Sequence, residues 1–127
     1  MSKTNYYDTP TQLLVSVVMI NEDKQVCLVD NTFPSELLHP NETPEFVAER
    51  CIMNKMGSKA LVLDYLGSNS YTTADVQETR LFFLYEKQFQ DLDLPRKNNE
   101  SVIEWKSIDE VSLPNGDFIM SQIKKAL

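Results

Sequence analysis

An α+β domain is predicted by three features of this 127-residue chain: two apolar runs at 13–20 and 81–85, a capped helix opening at Thr43-Pro44, and an amphipathic stretch at the C-terminus. A chain of this length closes one hydrophobic core without a linker, so residues 1–127 read as a single domain with 1–11 as an N-terminal extension. With 42% hydrophobic and 24% charged residues the composition is that of an ordinary globular protein, and no repeat or low-complexity tract divides it.

The first run carries apolar side chains on both alternating faces. Leu13, Val15, Val17 and Met19 lie on one and Leu14, Val18 and Ile20 on the other, which suits a strand covered from both sides. The polar turn 21–24 leads into a second strand over 25–30, and the two read as a hairpin. Thr43 is a helix N-cap, Pro44 fits the first helical position, and Glu45 complements the positive end of the helix dipole. That helix should run to about Met56 and stop at Gly57, which tolerates the left-handed conformation after a C-terminus. Ala48, Ile52 and Met56 form its inward stripe, broadened by Phe46, Val47 and Met53. A strand over 60–66, a loop over 67–70 and a strand over 79–86 follow, then a loop over 90–99 containing Pro95. The chain closes with a strand over 102–106, a turn over 107–111, and a helix capped by Asn115 or Asp117 whose Ile119, Met120, Ile123 and Leu127 face inward.

Several partner classes are disfavoured. The longest apolar run is too short to span a bilayer, and the N-terminus lacks a basic-then-apolar signal, so a cytoplasmic protein without membrane contact is expected. A net charge of −7 and a pI of about 4.6 argue against a nucleic-acid partner. Cys27 and Cys51 lack C-x-x-C spacing and are too sparse for a disulfide scaffold, so reduced, buried thiols are expected. With His39 the single histidine, no zinc site is expected, and a Cys51–His39 nucleophile pair is less favoured than simple packing of Cys51 among apolar helix residues.

The segment leading into and through the central helix carries the most specific pattern. Phe33-Pro34, Glu42, Arg50, Ile52 and Gly57 align without a gap on G-x5-E-x7-R-E-U-x-E-E-x-G-U, U being aliphatic, and on the aromatic-proline lead-in that precedes it. On these residues the chain resembles the Nudix family, as a divergent MutT-like member. Trp105 and its neighbours Glu104 and Lys106, followed by Ile108-Asp109-Glu110-Val111, resemble the family's late strand and turn. The resemblance covers roughly residues 13–127 and implies an α/β/α sandwich, a mixed sheet between helices, with the box loop and helix walling a phosphate pocket.

The departures fall on the positions that do chemistry. Ser35 and Glu36 replace two glycines, Cys51, Asn54 and Lys55 stand at the three helix glutamates, and Ser58 replaces the last aliphatic residue. Nudix enzymes cleave a diphosphate linked to a further group with magnesium or manganese held by those glutamates. Such hard cations need oxygen ligands. Asn54 offers one neutral carbonyl, Cys51 is a soft ligand, and Lys55 brings a positive charge. Glu49 lies about 200° around the helix from Cys51 and cannot replace it, and the Glu45/Glu49 pair reads as a solvated acidic face.

The resemblance therefore implies a Nudix-like domain without efficient hydrolysis, with no catalytic residue and no metal or other cofactor, that binds a nucleotide or nucleoside-diphosphate derivative or serves a regulatory role. Its ligand-binding candidates are Glu36, Glu42, Arg50, Lys55, Arg96, Lys97 and Trp105. Arg50 either keeps a local carboxylate, the favoured reading, or is freed for phosphate. Trp105 either stacks on a nucleobase or anchors the core, again the favoured reading. The enzyme alternative is a divergent magnesium-dependent hydrolase of nucleoside-diphosphate derivatives, drawing ligands from Glu36, Glu42, Glu78, Glu100 or Glu104. The third is a structural or partner-binding scaffold, with Tyr6, Tyr7 and residues 81–85 contributing to a homodimer or partner contact.

Overall fold

The computed structural model describes residues 11–56, 63–73, 75–85, 102–113 and 115–127. In chain order these form β1 (Thr11–Met19), β2 (Gln25–Val29), β3 (Ser35–Leu37), α1 (Pro44–Met56), β4 (Leu63–Thr73), β5 (Val76–Tyr85), β6 (Ile103–Ser107), a 3-10 turn at Ile108–Glu110, and α2 (Asp117–Ala126).

Strand β1 is the hub. It pairs in parallel with β5, placing Val15 opposite Leu81 and Val17 opposite Phe83, and antiparallel with β3, placing Val15 opposite Glu36. Strand β4 adds antiparallel to β5, giving a mixed sheet in the order β3-β1-β5-β4. β2 and β6 form a separate antiparallel pair in which Cys27 faces Trp105. Side chains alternate across a strand, so β1 feeds two cores. Val15, Val17 and Met19 pack with Cys27, Phe83, Tyr85 and the Val47, Ala48, Cys51 and Ile52 stripe of α1. Val18 packs with Val26, Leu28, Phe33, Phe82 and the Ile119 and Ile123 stripe of α2. Such two-sided burial is why the first run is apolar on both faces.

Several expectations need correction. β1 and β2 are not a ladder hairpin: they meet at the Ile20–Val26 bridge and then diverge into separate sheets. Residues 67–70 are not a loop, because β4 runs through them with a bulge between Tyr65 and Gly67. The polar residues Ser68 and Ser70 are strand residues facing solvent, and composition alone made them look like a loop. Ser35–Leu37 is a short strand. Phe46 and Met53 do not extend the inward stripe of α1; they are 52% and 48% exposed. The start of α2 has Gly116 at its cap and no side-chain capping bond, since the Asn115 amide donates instead to the Ser70 carbonyl at 3.2 Å. The Met56 side chain, Gly57, Ser58, the Pro95 loop, and Tyr6 and Tyr7 lie outside what is described.

Candidate functional site

Three local devices bring the charged side chains of the box segment together. Thr43 caps α1, its Oγ1 accepting the Phe46 amide at 3.1 Å, and this fixes the helix phase. Asn41 adopts a left-handed conformation (φ 71°), turning the chain so that the Glu42 carboxylate accepts the His39 amide at 3.0 Å. Pairing of β3 with β1 sends Glu36 to the same sheet face as Val15, the face that α1 covers.

Arg50 stands at the centre. Its Nε donates to Glu36 Oε1 at 2.9 Å, Nη1 donates to Glu42 Oε2 at 2.5 Å, and Nη2 donates to the Leu37 carbonyl at 3.1 Å. Its guanidinium carbon also lies 5.7 Å from the ring centre of Phe46. One turn further along α1, Asn54 Nδ2 donates to Glu36 Oε2 at 2.9 Å. Residues four apart share a helix face, so Arg50 and Asn54 grip the same carboxylate from one side. The hydrogen bond from Arg50 holds the Glu42 carboxyl below its usual range, assisted by the His39 amide, and the same partners raise the Arg50 guanidinium.

Cys51 points the other way, into the core, where burial pushes its thiol up to about 12, with Glu36 adding to the rise. Burial alone does the same for Cys27. His39 is exposed and faces Glu42, its Nδ1 lying 3.5 Å from Oε1, so the Cys51–His39 arrangement is not formed. Lys55 is half-buried in the last turn of α1 and has no ion pair or hydrogen bond among the described residues.

The remaining candidates are dispersed. Trp105 sits on β6 opposite Cys27 and packs against the α1-side core, as a core anchor would. Glu104 points to the other face, 3.6 Å from Lys106 Nζ, and Glu78 accepts the Tyr71 hydroxyl at 2.5 Å. Arg96, Lys97 and Glu100 lie outside the described residues. Among the described residues no three His, Cys, Asp or Glu side chains converge in a way that could hold a metal ion.

A second polar cluster went unnoticed in the sequence. On the α2 face of the sheet, beyond Phe82 and Leu84, β5 presents Glu78 and Arg80 beside Tyr71 of β4. Arg80 Nη1 donates weakly to Thr32 Oγ1 at 3.4 Å, and its buried Nε has no acceptor among the described residues. Burial and the bond to Glu78 raise the Tyr71 phenol. The available signal was the alternation Glu78, Arg80, Phe82, Leu84, which puts charge at one end of an otherwise apolar strand face.

A mixed sheet between two helices, with α1 entered through a short strand and an arginine-centred turn, defines a MutT-like Nudix fold, and the solved structures agree. The chain is similar to the MutT protein from Methanosarcina mazei Go1, with a TM-score of 0.70 and 14% identity over 93% of this chain and 94% of that one. It is similar to a Nudix hydrolase from Nitrosomonas europaea, with a TM-score of 0.59 and 19% identity over 91% and 86%. It is also similar to Shewanella oneidensis NrtR complexed with a 27mer DNA, with a TM-score of 0.69 and 13% identity, covering 90% of this chain and 61% of that one. No family model and no curated protein sequence matches the chain.

Proposed function

We propose that this chain is a Nudix-fold module with a degenerate box, without efficient metal-dependent diphosphate hydrolysis, that binds a nucleotide-type ligand or serves a regulatory role. The carrying observation is the engagement of both carboxylates beside α1. Glu36 is shared by Arg50 and Asn54, and both oxygens of Glu42 face Arg50. A magnesium ion would meet these two carboxylates already hydrogen-bonded to Arg50 and Asn54, and the positive charges of Arg50 and Lys55 on the same helix would oppose it. Cys51, buried and protonated, offers nothing in their place. These residues do not fit the metal that the fold family implies.

The resemblance to NrtR, a protein seen in complex with DNA, lends support to a regulatory use of this fold. The net charge of −7 makes direct DNA binding by this chain a poor expectation. Glu36, Glu42 and Glu78, three candidate ligands of the hydrolase alternative, each accept a side-chain hydrogen bond.

The test is calorimetric titration of metal-stripped protein with nucleoside diphosphates and nucleoside-diphosphate sugars, followed by a cleavage assay with magnesium. Binding without turnover is the expected result. Magnesium-dependent turnover would overturn the reading, and absence of binding throughout would favour the scaffold role.

A further inference from the structure

We infer that Asn115 is a site of spontaneous deamidation whose rate the fold sets by holding the start of α2 closed. This modification is independent of any ligand.

The chain contains one asparagine followed by glycine, Asn115-Gly116. Without a Cβ on the following residue, the next backbone nitrogen is free of the side chain that would keep it from the asparagine carbonyl carbon. Packing keeps that glycine in place: a Cβ on Gly116 would lie 2.5 Å from Leu113 Cβ and 3.0 Å from the Leu113 carbonyl oxygen. Gly116 is buried, whereas Asn115 is exposed to the water that the reaction consumes. The other exposed asparagines, Asn31, Asn41 and Asn54, precede threonine, glutamate and lysine and serve as internal comparators.

In the reaction the Gly116 nitrogen gives its proton to hydroxide and attacks Asn115 Cγ, closing a succinimide ring. The Cγ–Nδ2 bond breaks, and the leaving nitrogen takes a proton from water, departing as ammonia and returning the hydroxide. A second water opens the ring at one of its two carbonyls, giving aspartate or isoaspartate.

Two hydrogen bonds hold the reacting groups apart from this path. The Gly116 N–H donates to the Leu113 carbonyl at 3.1 Å, closing a turn in which Asn115 is left-handed (φ 52°). Asn115 Nδ2 donates to the Ser70 carbonyl at 3.2 Å, which anchors the amide on β4. Attack therefore requires the start of α2 to open. Neither product keeps an amide for Ser70, and isoaspartate lengthens the backbone by one methylene just before Phe118 and Ile119, which close on Gly67.

The experiment incubates the full chain in mildly alkaline buffer with and without guanidinium chloride and follows peptide maps by mass spectrometry. We expect the mass gain of amide-to-acid conversion at Asn115, about tenfold or more slower in native buffer, the penalty of breaking one or two hydrogen bonds to open a local segment. Asn115→Gln, which keeps an amide but closes a larger ring, should abolish the gain. The isoaspartyl form, separated by chromatography, should unfold at lower denaturant than the unaged chain. Conversion at Asn115 no faster than at Asn31, Asn41 and Asn54 in either buffer would overturn the site. Equal rates in the two buffers would overturn the control by α2, and an isoaspartyl form of native stability would overturn the role of the Ser70 contact.

Discussion

Glu36 on β3 and Asn54 on α1 are joined by a 2.9 Å hydrogen bond from the Asn54 amide, while the other Glu36 oxygen accepts from Arg50. The carboxylate at this junction thus comes from the strand and its neutral partner from the helix. A side chain at position 36 spans the gap between β3 and α1 and clamps them without an ion.

This clamp should be measurable as a coupling. In a double-mutant cycle of Glu36→Gln and Asn54→Ala, the expected interaction energy is about 0.5–1.5 kcal/mol, the usual net value of one hydrogen bond. Urea unfolding of the four proteins supplies it, and additivity within error would show that the bond contributes nothing.

Acid stability should depend on Glu42. Its carboxyl is held below the usual carboxylate range in the folded chain, so the unfolded chain takes up that proton first as pH falls. The contribution is present above the unfolded carboxylate value and is lost as pH drops through the depressed one. Glu42→Gln should therefore be less stable than the native protein at neutral pH, and the gap should close toward acid. Thermal melts across that range test it; a gap that widens toward acid would contradict the assignment.

Both cysteines should be inert while the chain is folded. Burial raises Cys27 and Cys51 to about 12, so neither supplies thiolate at neutral pH. A colourimetric thiol reagent should titrate neither in native buffer and both in guanidinium. The same shifts predict stability that holds below the ordinary thiol range and falls as pH rises toward about 12.

Gly67 should resist substitution. Its φ of +142° suits glycine, and a Cβ there would lie 2.9 Å from Phe118 Cε2 and 3.2 Å from Ile119 Cδ1, on the helix that closes the second core. Gly67→Ala should cost about 1–3 kcal/mol through backbone strain and displacement of α2. Chemical denaturation checks this, and a change near zero would mean that the bulge relaxes freely.

Much of the fold could be read from the residues because local rules and global packing agree in α1. Thr43, Pro44 and Glu45 start the helix, and its Val47, Ala48, Cys51 and Ile52 stripe is buried in the structure. Where the two diverge, sequence reasoning failed. Phe46 looked like core because it is apolar, yet the Arg50 guanidinium lies over its exposed ring. Residues 67–70 looked like a loop because strand propensity is set largely by packing, and β5 supplies the partner that composition could not reveal. The split of β1 and β2 into different sheets follows from pairing with β5 and β6, which are distant in the chain.

The same division holds for the site. By itself the sequence determined which residue types stand at each position of the box segment: Arg50, the acids Glu36 and Glu42 ahead of the helix, and Cys51, Asn54 and Lys55 along it. It left Arg50 with alternatives, a local carboxylate or free for a ligand. Only the tertiary structure decided, because Glu36 reaches Arg50 through β1–β3 pairing and Glu42 through the left-handed turn at Asn41, and charge neutralisation at 2.5–2.9 Å depends on geometry that no one-dimensional spacing encodes.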